Sequence, residues 1–175
     1  MKKSLAILFC VLLLTAACAA PQSAGQKGVE ESAVFVNPNA VKEGAYGALY
    51  FEANGYRFGI YDKMEDVLKN VPSNTTFTGE SCAFEGEDIY YFFNGFEIMA
   101  NVIDGAERVT AITIVDDTVK TPSGLYIGMT EDDAKAILNV APGASGIYTL
   151  VDGTAQLNVT VQDGTVRAIA YIASV

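Results

Sequence analysis

The chain has 175 residues, 50% hydrophobic and 18% charged, with 16 Gly and 5 Pro, which fits one compact domain or two small ones and excludes a disordered segment. With 11 Lys+Arg against 21 Asp+Glu, the net charge of −10 excludes a broad basic footprint, so no nucleic-acid partner is expected. Histidine and tryptophan are absent, which removes every Ser-His-Asp or Cys-His nucleophilic site and all His-ligated metal sites. No catalytic residue, cofactor or metal site is expected.

Met1-Lys2-Lys3 supplies a positive start, Leu5 to Leu14 an apolar run, and Thr15-Ala16-Ala17 the small residues before Cys18, so residues 1–17 read as an export signal. The run is too short to cross a hydrocarbon core of roughly 30 Å. Leu14 to Cys18 resembles a bacterial lipobox, with Thr15 where that pattern prefers Leu or Val. The resemblance implies diacylglycerol on the Cys18 thiol and cleavage just before it, hence a lipid-anchored protein on the extracytoplasmic face of a bacterial cell membrane. Cys10 leaves with the signal and Cys18 carries lipid, so Cys82 is the one remaining thiol and no intramolecular disulfide forms. No Arg, Lys or His flanks Cys82, which is expected to be a buried small hydrophobe.

Residues 18–45 form a small, polar tether and irregular lead-in. Leu49 to Phe58 alternates around Asn54-Gly55 and predicts a hairpin. Two similar units follow, over 46–118 with the hairpin and over 119–175. Gly59-Ile60 leads into Asp62 to Val71, and Gly128-Met129 into Thr130 to Val140. Met64, Val67, Leu68 and Val71, like Ala134, Ile137, Leu138 and Ala141, stand at i, i+3, i+4, i+7, which predicts two short amphipathic helices. Asp62 with Glu65 and Thr130 with Asp133 occupy capping-box positions, and Pro72 and Pro142-Gly143 stop the helices.

Downstream, Tyr90 to Gly95 corresponds to Tyr148 to Gly153, Ile103-Asp104-Gly105 to Gln162-Asp163-Gly164, and Val109 to Ile112 to Val166 to Ile169, with two extra residues in the first turn. Each unit therefore reads as a helix plus a three-stranded antiparallel meander, with one wet face and one covered by a helix, giving an α+β fold. At roughly 50 to 60 residues neither unit buries much alone, so the two sheets are expected to join or pack.

Gly128-Met129-Thr130 before an acidic-started helix, followed by Asp-Gly-punctuated strands, resembles the tandem-repeat family of the β-lactamase inhibitor protein and its single-copy relatives, the small outer-membrane assembly lipoproteins. The first copy departs from that turn with Gly59-Ile60-Tyr61-Asp62. The whole chain is also similar to uncharacterised lipoproteins of anaerobic Gram-positive bacteria. The resemblance implies a fold and a habit of binding proteins, without a transferable contact motif.

Acidic clusters at Glu85 to Asp88, Asp116-Asp117 and Glu131 to Asp133 match no calcium-loop spacing and read as solvated surface, the last complementing a helix dipole. Thirteen of the 9 Tyr and 9 Phe lie between Tyr46 and Phe96. In a strand the run Tyr90-Tyr91-Phe92-Phe93 points alternately to opposite faces, so one helix cannot cover it all. The candidate binding face comprises Tyr50, Tyr56, Tyr91 and Phe93, for an envelope protein or a glycan. The leading expectation is a non-catalytic interaction module; the alternatives are a carbohydrate-active envelope enzyme using paired carboxylates, or a small-ligand or ion sensor.

Overall fold

The computed structural model describes residues 49–84, 86–139, 141–142 and 146–174, all within one compact unit. The expected signal segment, the expected lipidation site Cys18 and the expected tether fall outside the described residues. No described helix is long and apolar enough to cross a membrane.

The expected hairpin is present as β1 (Phe51–Ala53) and β2 (Tyr56–Phe58). Asn54 and Gly55 both take positive φ, 52° and 75°, the type I′ geometry whose twist matches that of paired strands. Helix α1 (Met64–Asn70) follows and buries Met64 and Val67. Its expected capping box is not made, because the helix starts one residue late for it. Lys63 takes the N-cap position without a side-chain bond, and the Asp62 carboxylate accepts from the Gly59 amide at 2.8 Å instead.

Beyond α1 run β3 (Thr75–Glu80), β4 (Glu87–Phe92), β5 (Phe96–Ile103) and β6 (Ala106–Ile114); after α2 (Glu131–Leu138) run β7 (Ile147–Asp152), β8 (Ala155–Gln162) and β9 (Thr165–Ala173). These strands form one antiparallel sheet in the order β3-β4-β5-β6-β9-β8-β7, so the class is α+β. The two meanders join edge to edge through β6 and β9, from Ala111↔Ile172 to Ile114↔Ile169. The first meander has four strands rather than three. Its added strand, β3, is rich in threonine and exposed on both sides, so it carries no period-two hydrophobic signal.

β5–β6 and β8–β9 share their details. Asp104-Gly105 and Asp163-Gly164 both turn with positive φ at each residue. Each register breaks once, after Met99 and after Thr160, leaving Thr110 and Arg167 as the bulged residues. The extra residues expected in the first turn lie in its ladder, which continues four pairs beyond the bulge against two. The stretch before each helix binds the strand beside the bulge. Tyr61 N–H donates to Val109 O at 2.7 Å and Val109 N–H to Asp62 O at 2.9 Å; Gly128 N–H donates to Val166 O and Val166 N–H to Met129 O, both at 2.9 Å.

The register places Tyr91, Ile98, Ile112, Tyr171 and Leu157 in one row across the sheet, and all are buried. α1 packs on β6 and β2, and α2 on β9. Phe51 of the hairpin meets Phe96 and Tyr171 at ring-centroid distances of 4.9 and 6.0 Å. Hairpin and helices therefore lie on one face of the sheet around one core. Among the described residues, no helix or hairpin covers the other face.

In α2 the Thr130 hydroxyl accepts from the Asp133 amide at 3.2 Å and donates to the Asp133 carboxylate at 2.7 Å. The short aspartate thus meets the capping hydroxyl rather than the backbone. Asn139, in the left-handed region at φ 50°, ends the helix before Pro142. The buried stripe narrows to Ala134 and Leu138, with Ile137 exposed. Tyr148 of β7 donates its hydroxyl to Glu131 at 2.6 Å, and Lys135 pairs with the same carboxylate at 3.0 Å. The Tyr148 bond, then Lys135, holds the Glu131 carboxyl below its ordinary value of 4.5.

A carboxylate whose folded-state pKa is depressed stabilises the protein above its unfolded pKa, and this contribution is lost as pH falls through the folded value. The urea midpoint should therefore fall on acidification below about pH 4.5, and Tyr148→Phe should flatten that limb of the profile. Phe51→Ala should cost about 3–5 kcal/mol in urea unfolding at neutral pH, because the ring is fully buried and joins the hairpin to the sheet.

Candidate functional site

The four residues of the expected binding face do not assemble on an open surface. Tyr91 and Phe93 point to the covered side and are buried. Phe93 stacks on Phe96 at 4.5 Å, and the Tyr91 hydroxyl donates to the Glu107 carboxylate. Burial, reinforced by Glu107, raises the Tyr91 phenol far above its usual value. Tyr50 and Tyr56 sit half-buried on the hairpin. The Arg57 guanidinium stands 4.9 Å from the centre of the Tyr50 ring, and Tyr56 stacks beside Phe58.

Alternation therefore operates as expected with the opposite phase: Tyr90 and Phe92 face the uncovered side. The reason lies in the Phe93-Asn94-Gly95-Phe96 turn, where Phe93 N–H donates to Phe96 O at 2.9 Å. That bond sets Phe93 and Phe96 together on the covered side and Phe92 across from Glu97 on the other. Glu97, a charge best left in water, was the signal in the sequence that fixes the phase. Gly95 takes φ +82°, and an added Cβ would come within 2.5 Å of Val119, so the connector over this turn leaves room for glycine alone.

On the uncovered face one row runs Phe77, Tyr90, Met99, Ala111, Ile172, Gln156 and Val151. The next runs Thr75, Phe92, Glu97, Thr113, Ala170, Asn158 and Thr149. Phe77 is 62% exposed and lies 6.3 Å from Tyr90 between ring centres. Tyr90, Phe92 and Met99 are half-buried by their neighbours in the sheet. Toward the opposite edge of the same face, beyond β6 and β9, Asn158 accepts from Gln156 and Thr149, each at 2.8 Å. Phe77 escaped sequence reading because its strand did.

Other candidates are already engaged. A groove between α1 and the β5–β6 turn contains Glu65 and Glu107, yet Lys69 pairs with Glu65 at 3.0 Å and Tyr91 donates to Glu107. Asp116 accepts from the Thr118 hydroxyl and amide, which together hold its carboxyl below the usual range. Asp88 accepts from the buried Asn101 amide at 2.6 Å. Among the described residues, no group of three or more Cys, Asp or Glu side chains is arranged to hold a metal ion. Cys82 is exposed rather than buried, because it lies in the β3–β4 connection and not in a strand.

No family model and no curated protein matches the chain. Among solved structures it is similar to an extracellular protein containing an SCP domain from Bacillus anthracis str. Ames, at 12% identity and a TM-score of 0.41. The match covers 65% of this chain and 44% of that one, so the chain spans less than half the length of that protein.

Tyr91→Phe should lower stability by about 1 kcal/mol, the net worth of one hydrogen bond, while leaving the half-buried Tyr90 and Phe92 of the far face untouched. Urea unfolding reads the first effect. Quenching of tyrosine fluorescence by acrylamide reads the second, since Tyr90 remains accessible.

Proposed function

We propose that the protein is a non-catalytic interaction module, anchored through lipid on Cys18 to the extracytoplasmic face of a bacterial membrane, whose docking surface is the uncovered face of the sheet. The observation that carries this reading is the aromatic corner of Phe77, Tyr90 and Phe92. Exposed apolar clusters on a rigid sheet are the usual anchors of protein recognition, and Tyr and Phe supply large contact area at little cost in side-chain entropy. The flat, strand-built platform holds these rings in place before a partner arrives, which reduces the ordering cost of binding.

The same reading makes the two halves copies of one helix-and-meander unit, in keeping with the resemblance to the tandem-repeat inhibitor family. Support comes from the equivalent bulges at Thr110 and Arg167 and from the matched bonds of the pre-helix segments to Val109 and Val166. Matching the bulges sets Tyr91, not Tyr90, in the place of Tyr148, and both hydroxyls reach a glutamate. The correspondence drawn from sequence slips by one residue here, enough to exchange the faces of β4.

The test is affinity capture from native envelope extract with the full chain, beside a Tyr90→Ala, Phe92→Ala variant of unchanged circular dichroism. A protein partner should be captured, with affinity reduced about 30-fold or more in the variant, as for two ring anchors of roughly 1–2 kcal/mol each. Capture unaffected by the double change overturns the assignment of the face. Recovery of glycan in place of protein transfers the face to carbohydrate binding, for which the Gln156, Asn158 and Thr149 cluster of β7 and β8 supplies the polar partners.

A further inference from the structure

We propose that β3 pairs with β3 of a second copy of this chain, joining two seven-stranded sheets into one. β3 is the terminal strand of the sheet, and Thr75, Thr76, Phe77, Thr78 and Glu80 are all exposed. Edge strands are ordinarily blunted by proline, lysine, bulges or an overlying element. β3 contains neither proline nor lysine, and its register with β4 runs unbroken from Thr75 to Glu80. Among the described residues nothing pairs with its outer side.

The chemistry of this edge dictates its occupant. Ser81 N–H donates to Gly86 O at 3.1 Å, and the alternation of an antiparallel ladder then turns the amides of Phe77 and Gly79 toward β4 and those of Thr76, Thr78 and Glu80 outward. Outward amides and carbonyls at alternate positions form a template that another extended strand matches. A second β3 fits with Phe77 on the two-fold axis. Thr76 then faces the partner's Thr78 and Thr75 the partner's Gly79, and the ladder stops there because Asn74 N–H donates to Phe92 O of β4 at 2.7 Å. No like charges oppose each other, although the chain as a whole carries −10. The two-fold contact is self-complementary and leaves β7 as the terminal strand at each end of the joined sheet.

The axis position also explains the one large side chain on the strand. Phe77 and the partner's Phe77 form a non-hydrogen-bonded pair, the closer of the two antiparallel pair types, and such aromatic pairs stabilise a sheet. Because Phe77 shares its row with Tyr90, the partner's Phe77 extends the aromatic corner across the axis. The edge contact stands apart from the docking reading, since backbone groups make it.

The test uses the full chain in bacterial membranes and in mild-detergent extract. In a Cys82→Ser background, Phe77→Cys should give a disulfide-linked dimer under mild oxidant, because facing Cα atoms of such a pair lie about 4.5 Å apart, within disulfide reach. The background alone controls for Cys10 and Cys18, and Val151→Cys on the uncovered face at the far edge should stay monomeric. Sedimentation of the unaltered chain should give a dimer mass, and Thr78→Pro, which removes an outward amide without touching the β4 ladder, should give the monomer. A monomer mass for the unaltered chain at all concentrations overturns the proposal, as does equal cross-linking through Val151→Cys. A dimer that persists in Thr78→Pro overturns it too.

Discussion

The pairing of β6 with β9 is the joint on which the fold rests. Four residue pairs bring Ile112 beside Tyr171 and Ile114 beside Ile169, so two meanders too small to bury a core separately share one. The joint occupies only the C-terminal part of each strand. Toward their starts, β6 and β9 turn the same edge to a different neighbour, the Tyr61–Asp62 segment for β6 and the Gly128–Met129 segment for β9. Thr110 and Arg167, the bulged residues, fall at the changeover in each strand. A bulge bends its strand and increases the local twist, which allows one edge to leave one partner and meet another without orphaned backbone groups.

That arrangement places each helix. The segment that pairs beside the bulge runs directly into α1 or α2, so each helix start is fixed to the strand on which the helix packs. In the first half the joint carries strain. Tyr61 adopts φ 69°, a left-handed conformation that costs about 1–2 kcal/mol for a residue with a side chain. Its carbonyl accepts from the Arg108 guanidinium at 3.0 Å, while Arg108 Nε is buried with no partner among the described residues. The second half uses Gly128 at φ 93°, where glycine bears the same sort of turn without penalty. The acceptor that Tyr61 offers to Arg108 is the compensation visible for its strain.

Features written in local sequence were legible. Asn54-Gly55, Asp104-Gly105 and Asp163-Gly164 all form the turns that those dipeptides favour, and both helices form where expected, α2 stopping at Leu138, short of Ala141. Features set by tertiary context were not. β3 has no buried face and so no period to detect; the phase of Tyr90 to Phe93 follows from which face receives the hairpin, with Glu97 as its one local clue; Cys82 is exposed because the chain there connects strands. Alternation determines that two faces differ but carries no information on which one receives the hairpin. Here Phe51 settles it, by docking on Phe96.

The uncovered face differs in character from the rest of the molecule. The chain carries 21 acidic side chains, yet the two central rows of this face hold Glu97 as their one charge, beside Phe77, Tyr90, Phe92, Met99 and the Gln156–Asn158 amides. At physiological salt, charges on the remaining surface are screened beyond about 8 Å. If this face is the docking surface proposed above, long-range attraction would contribute little to encounters there, and recognition would fall to rings and amides at contact distance. Selection by shape and apolar fit would then place specificity in the dissociation rate more than in the rate of encounter.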